Sequence, residues 1–157
     1  VSTTIGVISD THGLLRPQAL ASLRGCDVLV HAGDIGAPSV LDELNDIAPV
    51  HAVRGNVDKG AWANELPETL VVGVKDKSIY VIHDLGELDF KPSAAGFCAV
   101  ISGHSHIPKS YREDGVLYFN PGSAGPRRFK LPVSLGKIYV DRDQLETELI
   151  ELLGVRA

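Results

Sequence analysis

The head of the chain constrains the fold more than any other stretch. Three short runs, Thr4–Ser9 (TIGVIS), Asp27–Ala32 (DVLVHA) and Val50–Arg54 (VHAVR), are apolar and β-branched, as strands buried on both faces are. Two segments of helical character separate them. Pro17 opens the first, with Ala19, Leu20 and Leu23 as its apolar stripe. Pro38–Ile47 (PSVLDELNDI) is the second, with Val40, Leu41, Leu44 and Ile47 on one face. A strand–helix–strand–helix–strand order implies parallel strands joined by right-handed crossovers.

The rest of the chain changes character. Gly55–Leu66 reads as a loop. Thr69–Val74 and Ser78–Ile82 read as strands, with Lys75, Asp76 and Lys77 as the hairpin between them. Leu88–Gly96 is weakly helical or loop, and Phe97–Ile101 is a further buried strand. Beyond it, strands are expected at Lys109–Arg112, Val116–Phe119, Val133–Val140 and Leu145–Leu152, with turns at 113–115 and 141–143. The run QLETELIELL has helical spacing too. A strand is preferred, because the run follows VSLGKIYVDRD as a hairpin partner. The residues thus describe two packed sheets with helices outside.

With 157 residues, one domain spanning 1–157 is the expectation. The formal net charge of −5 argues against a broad basic surface, and so against long nucleic acid as a partner. The two cysteines, Cys26 and Cys98, lack metal-site spacing and lie in or beside apolar runs. They read as free buried thiols, which suits a reducing, cytoplasmic location. No segment has the length of a membrane span and no signal-peptide pattern opens the chain, so no membrane partner is expected.

Chemistry-bearing residues gather where the buried strands end, which is where open α/β folds place their ligands. SDTHG follows the first strand (Asp10, His12), HAGDIG the second (Asp34) and RGNVD the third (Asn56). His83 follows YVI, and GHSH follows FCAVI (His104, His106). Taken singly, an aspartate after a strand is a turn former or a helix cap, and a lone histidine is a satisfied core residue. His31 and His51, inside strands, are read in that second way. All five strand ends together are another matter, since turn chemistry has no call for histidine at three of them. Carboxylates, a carboxamide and imidazoles, without thiolate, suit Mn, Fe, Ni, Co or Zn rather than a structural zinc knot. Seven donors exceed one ion and suit two that share a carboxylate.

In this order, DTHG, GDIG, GNVD, His83 and GHSH resemble the calcineurin-like metallophosphoesterases, and NPGS (Asn120–Ser123) extends the likeness. The chain is similar to the small, stand-alone prokaryotic branch of phosphodiesterases, often active with manganese. The resemblance implies an α/β fold, a four-layer α/β/β/α sandwich of two mixed sheets flanked by helices. It also implies a first metal on Asp10, His12 and His106, and a second on Asn56, His83 and His104. Asp34 would bridge the two, together with a hydroxide that attacks phosphorus. Asp34 and Asn56 are the residues assigned to the catalytic step, and manganese is the expected cofactor. Gly103 would let the backbone approach the metals.

Larger members of that family carry GNH followed by an acid, and the histidine protonates the leaving group. Here the position is Val57. Asp84 stands where relatives often have glycine, and reads as a turn residue or a partner of a ligand. Arg127 and Arg128 read either as phosphate contacts or as a solvated basic turn. Trp62 reads as core or interface, with a pocket wall as the alternative. A small phosphodiester is the expected partner, and an exposed edge strand invites homo-oligomers. Three alternatives stay open: a metal-poor interaction scaffold of the same fold, a phosphomonoesterase or phosphoprotein phosphatase, and a nuclease.

Overall fold

A computed structural model describes residues 2–142 and 144–153. The elements are β1 (Thr3–Ile8), α1 (Pro17–Leu23), β2 (Val28–His31), α2 (Pro38–Asn45), β3 (Val50–Ala52), α3 (Ala61–Asn64), β4 (Thr69–Val74), β5 (Lys77–Ile82), β6 (Ala99–Ile101), β7 (Lys109–Glu113), β8 (Val116–Asn120), β9 (Val133–Val140) and β10 (Leu145–Leu153). They form two five-stranded sheets, ordered β10-β9-β1-β2-β3 and β4-β5-β6-β8-β7. β1, β2 and β3 pair in parallel, as the helical crossovers require, and β9–β10 add an antiparallel flank. In the second sheet β5, β6 and β8 run parallel, with β4 and β7 antiparallel at its edges.

Period-two alternation divides each strand between two layers. Ile5, Val7, Val30 and Ile138 of the first sheet meet Ile79, Val81, Ile101 and Phe119 of the second in the central core. Gly136 is required there, because a Cβ would strike the Phe119 ring. On the outer face of the first sheet, Ile8, Leu29 and Leu135 pack under Ala19 and Leu23 of α1 and Val40 and Leu44 of α2. Trp62 of α3 packs, half-buried, against the same cluster, so its core reading holds. The second sheet's outer face is covered more thinly. Ile82, Val100 and Val116 lie beneath Tyr80, Leu85 and Tyr118, under a 3-10 turn (Leu85–Glu87) and irregular chain.

Some boundaries differ from expectation. The 55–66 segment contains α3, and a 3-10 turn forms at Leu85–Glu87, while 88–96 is loop, one of its two expected states. The β4–β5 turn is Lys75–Asp76, with Lys77 already paired to Val74. Asp114 and Gly115 both have positive φ, as a two-residue type I′ hairpin needs. The 145–153 run is a strand, since pairing along the whole of β9 outweighs its helical spacing. Asp143, in the expected 141–143 turn, lies outside the described residues. Cys26 is buried, Cys98 is half-buried and both are free thiols. Among the described residues no helix is long and apolar enough to cross a membrane.

Candidate metal centre

The C-terminal ends of β1, β2, β3, β5, β6 and β8 bring their loops into one place, and the loops brace one another. The Asp10, His12 and Gly13 amides donate to the carbonyls of Gly33 (3.0 Å), Asp34 (3.0 Å) and Ile35 (2.7 Å). Asp58 is buried and accepts from Ile35, Gly36 and Gly55, stapling the GDIG loop to the GNVD loop. Asn120 donates to the Gly103 carbonyl (3.0 Å), and Ser123 Oγ donates to the Asp10 carbonyl (2.9 Å).

His31 lies beneath these loops. Its Nδ1 accepts from the Gly33 amide at 3.1 Å, so Nε2 carries the proton and donates to Thr11 Oγ1 at 3.0 Å. Thr11 Oγ1 in turn donates to the Ile35 carbonyl at 2.8 Å. Burial pushes the His31 pKa down to about 4 against the pull of Asp10 and Asp58. It is a neutral, satisfied core residue, as read from sequence, whereas His51 is exposed.

All seven predicted residues point donors into this region, in two groups. Asp10, His12 and His106 place one donor each within 4.8 Å of one another, and Asp34, His83 and His104 do the same. Asp10 commits Oδ2 to Ser9 Oγ (2.6 Å) and the His104 amide (3.0 Å). Its Oδ1, 3.3 Å from His106 Nε2, is buried without a hydrogen bond, as is His12 Nε2. Asp34 gives Oδ1 to the Val57 amide (3.0 Å). Its Oδ2 stands 3.8 Å from His12 Nε2 and 3.2 Å from His83 Nε2, so it faces both groups. His83 donates Nδ1–H to the Ala32 carbonyl at 2.7 Å, which turns Nε2 inward. Asn56 Oδ1 lies 3.0 Å from that Nε2. With its oxygen inward, Asn56 meets only acceptors, an arrangement a cation satisfies; turned over, its amide nitrogen donates to Asp34 (3.2 Å) and His83 (3.0 Å) instead.

The backbone is unusual at the same residues. Asp10, His12, Asp34, His104 and His106 all have φ between 48° and 70°. Left-handed backbone costs a non-glycine residue about 1–2 kcal/mol, and such strain concentrates at functional sites. Gly103 allows a close backbone approach at the candidate ligands. A Cβ there would strike Ser9 Oγ and Asp10 Oδ2, so its absence lets the GHSH loop reach the Asp10 carboxylate.

In the metal-free centre Asp34 and His83 form a charged pair, 3.2 Å apart. Burial works to raise the Asp34 carboxyl, but hydrogen bonds from His83 and the Val57 amide, with the charge of His83 and His12, hold it at about 2. Burial likewise works to lower His83, but the Asp34 and Ala32 hydrogen bonds and the charges of Asp10 and Asp34 raise it to about 9. Orphaned buried donors, an inward carboxamide oxygen and an all-O/N set fit two divalent ions.

The other sequence-singled residues scatter. Val57 is 43% exposed, with only its amide engaged. Asp84 is a turn former that also stands near a candidate ligand. Its Oδ1 accepts from the Gly86 amide as a turn former, and Oδ2 lies 3.8 Å from His104 Nε2. Arg127 donates to the Leu131 carbonyl in its own loop and Arg128 is exposed. Neither is among the donors brought together here. Asp58, Thr11, Ser9 and Asn120 were given no role from sequence. Asp58 reaches back to the Gly55 amide, the reverse of an Asx turn, and no local pattern signals it.

Comparison with known proteins agrees. Residues 4–143 match the description "Calcineurin-like phosphoesterase superfamily domain". A probable metallophosphoesterase of Methanothermobacter thermautotrophicus is 34% identical, over 93% of this chain and 91% of its own length. Another, of Methanocaldococcus jannaschii, is 36% identical over 94% and 81% respectively. Among solved structures, an archaeal phosphodiesterase superposes with TM-score 0.73 at 21% identity, covering 94% of this chain and 100% of that one. Vps29 of Entamoeba histolytica, complexed with zinc, does so with TM-score 0.73 at 20% identity, covering 96% and 99%.

Proposed function

Because this chain belongs to the calcineurin-like phosphoesterase superfamily, we propose that it is a phosphodiesterase working through two divalent cations. Asp10, His12 and His106 hold one cation, and Asn56, His83 and His104 hold the other. Asp34, whose Oδ2 faces both groups, would be shared between them. Its position between His12 Nε2 and His83 Nε2 is the observation that carries the reading. When bound, such a pair neutralises phosphoryl oxygens and acidifies a water into a nucleophile near neutral pH.

The chain supplies placement. The Val57 amide fixes Asp34 Oδ1, which leaves Oδ2 to the cations, and the Ala32 carbonyl fixes the His83 ring. Asn56 adds a neutral oxygen beside the reacting phosphoryl group. Val57 cannot give a proton to the leaving oxygen, so esters of acidic alcohols such as phenols are favoured. The donor set suits manganese, and Fe, Ni, Co or Zn share its ligands. The fold of an archaeal phosphodiesterase supports the diester reading. The whole chain 1–157 acts as one domain, and its free cysteines suit the reducing cytoplasm.

The test is hydrolysis of bis-p-nitrophenyl phosphate against p-nitrophenyl phosphate by chelator-stripped protein resupplied with Mn²⁺. Metal-dependent cleavage with the diester preferred is expected. Preference for the monoester would keep the centre and overturn the substrate class. No hydrolysis and no bound metal would replace the enzyme with an interaction scaffold.

A further inference from the structure

The candidate centre opens onto two clefts. Asp84 and His104 stand between the clefts and border both. The first, about 460 Å³, carries Glu68, Asp84, Glu87 and Asp89. Its one guanidinium, on Arg54, is already paired with Glu68 at 3.0 Å. The second, about 290 Å³, is bordered by Leu85, Ile107, Tyr111 and Tyr118, with Lys109 beside them.

The second cleft has the make-up of an aromatic seat. Ile107 follows His106 directly and is 50% exposed. Tyr111 and Tyr118 stack across the β7–β8 ladder, with centroids 5.1 Å apart and planes at 8°. Lys109 Nζ lies 5.0 Å from the Tyr111 ring centre. Apolar and aromatic surface left open beside a polar centre marks a place where something binds. A planar ring buries such surface at little conformational cost, and an adjacent ammonium offsets phosphate charge.

A phosphomonoester has one organic arm and a diester has two. Only a diester reaches into both clefts while its phosphorus sits at the partition. We propose that the substrate is an unsymmetrical phosphodiester whose aromatic arm lies against Ile107, Tyr111 and Tyr118, with an uncharged or cationic arm in the carboxylate-lined cleft. This inference rests on the phosphodiesterase reading above. The carboxylates of the first cleft repel an arm bearing a second phosphate. The rival occupant of the aromatic face is a second copy of the chain, because β7 is an edge strand with all of its residues exposed.

Calorimetry on the Mn²⁺-loaded protein with phenylphosphonate and methylphosphonate separates these cases, since neither ligand is hydrolysed and both share one head group. Phenylphosphonate is expected to bind about ten-fold more tightly. The advantage is lost in Tyr111→Ala and Ile107→Ala and kept in Tyr111→Phe, while methylphosphonate binds all variants alike. The KM for bis-p-nitrophenyl phosphate rises by a similar factor in Tyr111→Ala, with kcat within about two-fold. Equal affinity for the two phosphonates, with diester hydrolysis intact, overturns the cleft assignment alone. Binding of neither phosphonate, with no hydrolysis, removes the phosphodiesterase reading and this inference together. A Tyr111→Ala protein that changes oligomeric state but still discriminates the phosphonates gives the face to a second copy instead.

Discussion

The outer faces of the two sheets are treated differently. Across β1, β2 and β9, helices α1 and α2 cover Ile8, Leu29 and Leu135 completely. Across β5, β6 and β8, a 3-10 turn and irregular chain cover Ile82, Val100 and Val116 but leave Tyr111 and Ile107 open. The donors lie on the seam, contributed by strand ends from both sheets. One face is built for cohesion and the other for access, and a site between them draws rigidity from the first and room from the second.

The sharpest way to break this division is at the seam. Asp34→Asn is expected to lower phosphoesterase turnover on the order of 10³-fold and to reduce the tightly bound metal. A variant that kept both its metal and its rate would remove Asp34 from the centre. The covered face comes next. Leu44→Ala should cost about 2–5 kcal/mol in denaturant unfolding of the metal-free protein, because Leu44 is fully buried. Tyr111→Ala, on the open face, should cost under about 1 kcal/mol. Similar losses for the two would erase the distinction.

The loops' buried brace titrates. Burial lowers the His31 pKa from 6.5 to about 4, so between those values the unfolded chain binds the proton and the folded one does not. Stability is therefore full above about pH 6.5 and declines as pH falls toward 4, by up to about 3 kcal/mol. His31→Gln should flatten that slope relative to the parent in unfolding titrations across the interval, and an unchanged slope would deny His31 the role. Smaller again is a gain: Val57→His should speed alkyl diesters by about 10²-fold and aryl diesters little. Equal effects on both would mean that protonation of the leaving group does not limit the rate.

Much of this was legible in the sequence, for specific reasons. Asp10, His12, Asp34, Asn56, His83, His104 and His106 stood at strand ends, and the parallel topology fixes where such ends meet. What was hidden was non-local. That Asp58 ties one loop to another depends on the Ile35 and Gly36 amides, some twenty residues before it, which no spacing shows. The partner of the His83 ring is a carbonyl 51 residues away. The aromatic cleft was invisible because Tyr111 and Tyr118 become neighbours only through the β7–β8 register. The ambiguity of 145–153 was settled by β9, a partner the local pattern does not contain.

The left-handed backbone at Asp10, His12, Asp34, His104 and His106 has an evolutionary corollary. Glycine would occupy each of those conformations with less strain. A lineage selected for thermal robustness alone would drift toward glycine at these positions and lose its donors one by one. Aspartate and histidine persisting there are held against the chain's own conformational preference. Mutation under relaxed selection should therefore erode the metal centre well before the sandwich that carries it.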